Sequence, residues 1–143
     1  MIARILAAVD GSPRALGVTR AALELADRFG ATVHLYRALA IPPEFPAAAA
    51  NAPDLLEPQL VDEAKRHLRG LVGNHGRVVL EPIAVLQGQP WRAIIAESDR
   101  LEVDLIVLGS HGFGGWDRVL GTTAGKVVNH ATRSVWVVHE REA

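Results

Sequence analysis

The chain has 143 residues, 49% of them hydrophobic and 22% charged, and its net charge of −1 excludes the basic surface that binds nucleic acid or an anionic membrane. It has no cysteine, which excludes disulfides, thiol catalysis and thiolate metal sites. No segment approaches the roughly 20 apolar residues of a membrane helix, and no targeting segment is evident, so we expect one cytoplasmic domain over residues 1–143 without nucleic-acid or membrane partners.

The first part of the chain alternates apolar runs typical of strands with a run of helical period. Ser12 and Pro13 suit the N-cap and first turn of that helix, and Gly30 is placed to end it. The apolar positions of that helix fall close to the 3.6-residue period and are expected to face the core; they are Leu16, Ala22, Leu23, Ala26 and Phe29. The predicted elements are a strand at 2–9, a helix at 13–29, a strand at 32–38 and a proline-rich surface loop or lid at 41–53.

The remaining part continues this alternation. Pro82 predicts that the third strand is irregular or lies at an edge of the sheet. Residues 103–108 are apolar apart from Asp104, as expected of a central strand buried on both faces. Five strands alternating with four helices predict a parallel α/β sheet. The elements predicted here are a helix at about 54–72, a strand at 77–85, a helix at 89–101, a strand at 103–108, a helix at 122–131 and a strand at 135–139.

Two of the predicted strands end in residues that can hold a ligand. The first strand leads into Asp10, and the fourth leads into Gly109, Ser110, His111 and Gly112. Ligands of open parallel sheets bind outside the carboxyl ends of the strands, where the strand order reverses. If these two strands are neighbours at that point, Asp10 and the glycine-rich segment line one cleft.

A helix start after the glycine-rich segment favours phosphate as the ligand. The N–H groups at a helix N-terminus carry the positive end of its dipole, and the hydroxyls of Thr122 and Thr123, which follow Gly121, add donors. Asp10, on the far side of the cleft, is placed to bind a ribose hydroxyl or an adenine amine. A nucleotide satisfies both ends.

Each of these residues also has a structural interpretation. Asp10 can cap the first helix, and Gly114 and Gly115 can form a flexible turn without touching phosphate. His111 has no second metal-ligating residue at suitable spacing in its own segment, which favours a hydrogen-bonding or structural role over metal binding. We therefore predict no metal ligand.

The glycine-rich segment does not match two common phosphate-binding motifs. From Gly121 it has three residues between glycines where a P-loop has four, and Val127 replaces the serine or threonine that holds Mg²⁺. A dinucleotide fingerprint beginning at Gly112 would require glycine where Asp117 stands. These differences disfavour a P-loop NTPase and a Rossmann oxidoreductase.

Four stretches together resemble the universal stress protein family. They are ILAAVDGS near the start, GSHG and LGTTAGKVVNHA around the glycine-rich segment, and SVWVVH near the end. The similarity covers essentially the whole chain. It implies a Rossmann-like fold, with an open five-stranded parallel sheet of order 3-2-1-4-5 and four helices on its two faces.

The ATP-binding branch of that family has a signature of Gly, two residues, Gly, nine residues, and Gly followed by Ser or Thr. Gly109 and Gly112 match its first half and Gly121 with Thr122 its second, but only eight residues separate the two halves. The resemblance implies ATP, AMP or ADP as the ligand, with any Mg²⁺ held by the phosphates. The residues implied to contact it are Ala8, Val9 and Asp10 at the adenine and ribose, Ala38 at the base, and Gly109, His111, Gly112, Gly121, Thr122 and Thr123 at the phosphates.

The last strand predicts a partner. Under this sheet order the segment from Ser134 to His139 is an apolar edge strand, and such an edge invites another chain unless it is covered. The resemblance implies a homodimer in which these strands pair across a two-fold axis and bury Trp136. The alternative is that Trp136 packs inward against a helix.

We therefore expect a homodimeric, ATP-binding stress-response or signalling module without catalytic residues. One alternative is an interaction dimer of the same fold whose shortened loop no longer binds nucleotide. A third hypothesis is an ATP hydrolase assisted by Asp117 and Arg118 near the phosphates. A solvated turn with a local ion pair is the simpler account of those two residues, so we expect at most a slow ATPase.

Overall fold

The elements of the fold follow the order that the sequence predicts. A computed structural model describes residues 1–41, 53–87, 89–110 and 121–139, so the predicted loop or lid at 41–53 lies outside the described residues except at its two ends. None of the described helices is long and apolar enough to cross a membrane. The elements are β1 Arg4–Val9, α1 Ala15–Phe29, β2 Thr32–Ile41, α2 Pro53–Val72, β3 Val78–Leu80, β4 Ala84–Gln87, α3 Pro90–Arg100, β5 Leu105–Gly109, α4 Thr122–His130 and β6 Ser134–Val138.

The strands form a parallel sheet of order β3-β2-β1-β5-β6, with β4 also paired to β2. Because β3 and β4 follow one another along the same side of β2, the sheet has the expected five-position order 3-2-1-4-5. Helices α1 and α2 pack on one face, and α3 and α4 pack on the other. The expected Rossmann-like α/β fold is confirmed.

A break at Pro82 divides the predicted third strand in two. The β3 pairing ends at Leu80, opposite Leu35, and pairing with β2 resumes where Ala84 lies opposite Ala38. Proline has no N–H to donate to the ladder, so the chain leaves the pairing there and returns to it beyond. The prediction of an irregular edge strand is confirmed.

The core lies on both faces of the central strands. In β1, Ile5 and Ala7 pack towards α1 and α2, whereas Leu6 and Ala8 pack towards α3 and α4. Strand β5 is buried over its first four residues, which confirms the prediction of a central strand. Burial on both faces explains why these strands have continuous apolar runs rather than alternating polar residues.

Helix α1 begins later than predicted. The hydroxyl of Ser12 accepts the N–H of Arg14 at 3.3 Å, and the carbonyl of Ser12 accepts the N–H of Ala15 at 3.1 Å. These bonds form a turn ahead of the helix, whose N-cap is Arg14, so the predicted capping by Ser12 and Pro13 is wrong. Gly30 ends the helix with φ 68°, as predicted.

The buried face of α1 includes the predicted Ala22 and Ala26 but not the predicted positions at its two ends. Leu16 and Phe29 are 38% and 49% exposed, so the expectation that they face the core is wrong. Small side chains at the sheet-facing positions let the helix lie close to the strands, and this contact decides which side is buried. The buried residues are Ala15, Val18, Thr19, Ala22 and Ala26.

Tyr36 on β2 gives a test of the packing beneath α3 and α4. It is the single tyrosine of the chain, and its side chain is 2% exposed. Burial, reinforced by the charge of Glu97, raises the pKa of Tyr36 from 10.0 to about 12. Because the folded-state pKa exceeds the unfolded one, the tyrosine's contribution to stability is complete below pH 10 and is lost as the pH rises towards 12.

We expect the ultraviolet absorbance of tyrosinate to rise near pH 12. If the protein unfolds at a lower pH, as measured by circular dichroism, the absorbance should rise together with that unfolding. The free amino acid in the same buffer is the control. A midpoint near pH 10 with the secondary structure intact would contradict the burial of Tyr36.

Candidate functional site

A cleft opens at the carboxyl ends of the central strands. β1 and β5 are neighbours, with Ala8 opposite Leu108, so the strand order reverses between them. The ends of β1, β2 and β5 and the first turns of α1, α3 and α4 surround about 860 Å³ of empty space, part of which is open to solvent. This is where open parallel sheets bind ligands.

Several residues singled out in the sequence line this cleft. They are Ala8, Val9, Asp10, Ala38, Gly109 and Thr123. Gly121 and Thr122 are not among the lining residues; Gly121 is the N-cap of α4, and Thr122 is exposed. His111, Gly112, Gly114, Gly115, Asp117 and Arg118 lie outside the described residues.

Asp10 orders the turn between β1 and α1 and does not cap the helix. Its Oδ1 accepts the N–H of Ser12 at 2.9 Å, and α1 begins only at Ala15. This bond uses one carboxylate oxygen and fixes the direction of the side chain. Asp10 is half-buried where it lines the cleft, so its negative charge faces the space in which a ligand would lie.

The two ends of the glycine-rich segment are held together. The N–H of Ser110 donates to the carbonyl of Val138 at 3.0 Å, and the N–H of Gly121 donates to the carbonyl of Ser110 at 2.7 Å. The interval that is one residue shorter than the family signature therefore lies between two anchored ends.

Gly109 has a packing role in addition to its place at the cleft. A Cβ at this position would lie 3.3 Å from Cγ2 of Val18, closer than side chains ordinarily approach. The missing side chain therefore allows the end of β5 to lie against α1. At this position the glycine is explained by contact between two elements as well as by room for a ligand.

The N-terminus of α4 supplies donors at the cleft. Among the described residues no side chain caps it, and its first turn has no acidic residue. Its first intrahelical bond runs from the N–H of Gly125 to the carbonyl of Gly121 at 2.9 Å, which leaves the N–H groups before Gly125 without helical partners. Thr123 and Ala124 bring this turn to the cleft wall. Such a turn favours an anion through its N–H groups and its dipole.

The sequence interpretation missed two arginines of the cleft. Arg37, which lies opposite Val9 at the end of β1, and Arg14, just before α1, both line it. Nε of Arg14 is buried and has no hydrogen-bond partner among the described residues. The signal for Arg37 was its place beside Ala38 at a strand end, the same signal that identified Asp10. The apolar part of the wall, also missed, includes Ala15, Val18, Leu39, Pro90, Ile94 and Leu108.

Arg37 extends the charged part of the cleft towards α2. Its Nη1 lies 3.2 Å from Nδ1 of His67. Burial lowers the pKa of Arg37, an effect that the carboxylates of Asp10 and Glu63 oppose. Burial and then the neighbouring Arg37 lower the pKa of His67. Among the described residues no group of three or more His, Asp or Glu side chains is placed to hold a metal ion.

A second surface feature is the edge strand β6. Among the described strands it pairs with β5 alone, so its other side is an edge. Trp136 in the middle of β6 is 49% exposed. The alternative in which Trp136 packs inward against a helix is therefore wrong.

Comparison with known proteins points to one family. A family model described as the universal stress protein family matches residues 1–139. The chain is similar to universal stress protein A homolog 1 of Coxiella burnetii, with 32% identity over 140 residues that cover 96% of each sequence.

Solved structures give the same picture of the fold. Universal stress protein UspA from Lactobacillus plantarum superimposes with a TM-score of 0.73 and 27% identity, over 96% of this chain and 97% of that one. A universal stress protein solved in complex with cAMP has a TM-score of 0.61 and 22% identity, over 96% and 97% of the two chains. At that identity the second likeness supports the fold alone.

Proposed function

This chain belongs to the universal stress protein family, and from that premise we propose that it binds an adenine nucleotide in the cleft at the ends of β1, β2 and β5. The observation that carries the proposal is the pairing of two complementary groups on one cleft. Asp10 offers an acceptor, and the uncapped first turn of α4 offers donors to an anion. A nucleotide has a hydrogen-bond donor at its base and ribose and negative charge at its phosphates.

The walls of the cleft suit an adenine ring. Ala8 and Ala38 are small, which leaves room beside them, while Ile94 and Leu108 present apolar surface. Moving a planar base from water to such a surface costs little free energy, provided that its amine donates a hydrogen bond to an acceptor there. In the proposal Asp10 supplies that acceptor or binds the ribose hydroxyls.

The phosphates are assigned to the other side of the cleft. Thr123 and the N–H groups of the first turn of α4 donate to them, beside Gly109. The family resemblance adds His111, Gly112, Gly121 and Thr122 to the phosphate-binding residues, of which His111 and Gly112 lie outside the described residues. Any Mg²⁺ would arrive bound to the phosphates, since no metal-binding cluster occurs in the part of the chain that the structure describes.

We propose a binding module rather than an efficient enzyme. Asp10 is the one carboxylate among the described lining residues, and its Oδ1 is engaged by the N–H of Ser12. A general base must lie within hydrogen-bond reach of the attacking water, and the proposal places Asp10 at the adenine base and ribose, away from the phosphates. The proposed role is therefore to report adenine-nucleotide state in a cytoplasmic stress response, as a homodimer formed through β6.

The direct test is to denature freshly purified protein, identify any released small molecule by mass spectrometry, and titrate the emptied protein with ATP and GTP by calorimetry. We expect micromolar ATP binding and weaker GTP binding, because guanine presents a carbonyl where adenine presents its amine to Asp10. Equal affinity for ATP and GTP would contradict the assigned base contact. A protein that binds neither nucleotide would support the interaction dimer instead.

A further inference from the structure

Arg37 is held in a defined place over the turn that follows β1. An ideal Cβ built on Gly11 would lie 2.6 Å from Nη2 of Arg37, a separation too short for real atoms. The guanidinium therefore occupies space that any other residue at position 11 would take. Arg37 and Gly11 both line the cleft, together with Asp10.

His67 on α2 supports the other side of the guanidinium. Nη1 of Arg37 lies 3.2 Å from Nδ1 of His67. Arginine only donates hydrogen bonds, so Nδ1 must accept, and this bond requires the neutral form of His67. Both side chains are half-buried, so the contact is partly shielded from water.

The charges of the described lining residues favour an anion. Arg14 and Arg37 contribute two positive charges and Asp10 one negative charge. Arg37 lies on the β2 side of the cleft, separate from the donors of α4. A planar guanidinium binds phosphate through paired hydrogen bonds, which a ribose hydroxyl or a ring nitrogen does not match.

We propose that Arg37 is a specificity-determining residue that binds a phosphate of the nucleotide, and that neutral His67 is the positioning residue that holds Arg37 at the cleft. This inference rests on the proposed function and adds to it a second phosphate-binding group: the phosphate chain bound at the N-terminus of α4 extends to Arg37, which lines the same cleft on its β2 side. It predicts that the protein prefers phosphorylated adenosine to adenosine and that this preference depends on pH.

The sign of the pH dependence follows from the groups around His67. Arg37 on β2 and Asp10 in the turn after β1 act on His67, and Glu63 on α2 acts on Arg37. Burial and Arg37 lower the pKa of His67 below 6.5, and Asp10 opposes them. As the pH falls through that pKa, Nδ1 gains a proton, the hydrogen bond is lost and Arg37 is repelled. ATP affinity should therefore fall on acidification.

The first test compares ATP with adenosine in an Arg37→Gln variant by calorimetry at pH 7.5. We expect ATP affinity to fall at least about tenfold, as for the loss of a charged hydrogen bond, and adenosine affinity to remain unchanged. Arg20→Gln is the matched control, because Arg20 is exposed on α1, does not line the cleft and carries the same charge. If Arg37→Gln is poorly folded by circular dichroism, Arg37→Lys replaces it, since lysine keeps the charge and loses the paired donors.

The second test displaces Arg37 without removing it. Gly11→Ala requires the flexible end of Arg37 to shift and should weaken ATP binding by less than Arg37→Gln does, and the double variant should be no weaker than Arg37→Gln alone, because both changes act through one side chain. An additive double variant would overturn this link.

The third test concerns His67. Glutamine keeps an acceptor and does not titrate, so His67→Gln should retain ATP affinity at pH 7.5 and should bind more tightly than wild type at pH 5. The pH profile of His67→Gln also serves as the reference, because it contains the titration of the ATP phosphates without that of His67. Parallel pH profiles of His67→Gln and wild type would overturn the positioning role.

Two outcomes separate this inference from the proposed function. If wild type binds ATP and Arg37→Gln binds it equally well, or loses ATP and adenosine to the same extent, the phosphate role of Arg37 is wrong and the proposed function stands. If wild type binds no adenine nucleotide, both fail.

Discussion

Replacing Ala38 with tryptophan is expected to reduce ATP affinity by more than about 100-fold while the protein remains folded. Ala38 lies in β2 opposite Ala84 and is half-buried, with its side chain on the cleft wall beside the apolar cluster under α3 and α4. An indole in this place occupies the space that the proposal assigns to the adenine ring. Because the cleft is open to solvent in part, the larger side chain has room to extend without disrupting the core.

Calorimetric titration with ATP and thermal unfolding measure the two parts of this prediction. Ala21→Trp is the matched control, because Ala21 is also half-buried but lies on α1 away from the cleft. The control should bind ATP as wild type does. Unchanged ATP affinity in a folded Ala38→Trp protein would show that the base lies elsewhere.

The central part of the fold could be predicted because its signals are local. The apolar run of β5 and the left-handed Gly30 each determine their structure within a few residues. The start of α1 and the two ends of its buried face could not be predicted in this way. They depend on how closely the helix approaches the sheet, which buries Ala15 and leaves Phe29 half exposed.

The candidate site also has a part that could be predicted from the sequence and a part that could not. Asp10 and Gly109 could be placed together from the sequence, because parallel strands of an open sheet end at the same edge. The contact of Arg37 with His67 joins residues 30 positions apart, and that of His34 with Glu81, at 2.6 Å, joins residues 47 positions apart. No local pattern encodes such pairs. These pairs form only when the folded chain places β2 beside α2 and beside the irregular segment around Pro82.

The exposed edge of β6 predicts a homodimer, and this prediction does not depend on nucleotide binding. A half-exposed tryptophan in the middle of an edge strand is costly in water, and pairing with a second β6 would bury it and satisfy the unpaired backbone groups of both edges. Trp136 would then lie near the two-fold axis, close to its own copy. A charge at this position would lie close to the identical charge of the second copy, and their repulsion would oppose dimerisation.

Trp136→Glu is therefore expected to weaken dimerisation by about 100-fold, since the central aromatic residue of an interface carries much of its binding energy and like charges oppose association. Analytical ultracentrifugation across a range of protein concentrations measures the shift from dimer to monomer. Phe29→Glu is the matched control, because Phe29 is also 49% exposed but lies at the end of α1. A wild-type protein that sediments as a monomer, or a Trp136→Glu dimer as stable as that of Phe29→Glu, would show that the β6 edge is not the interface.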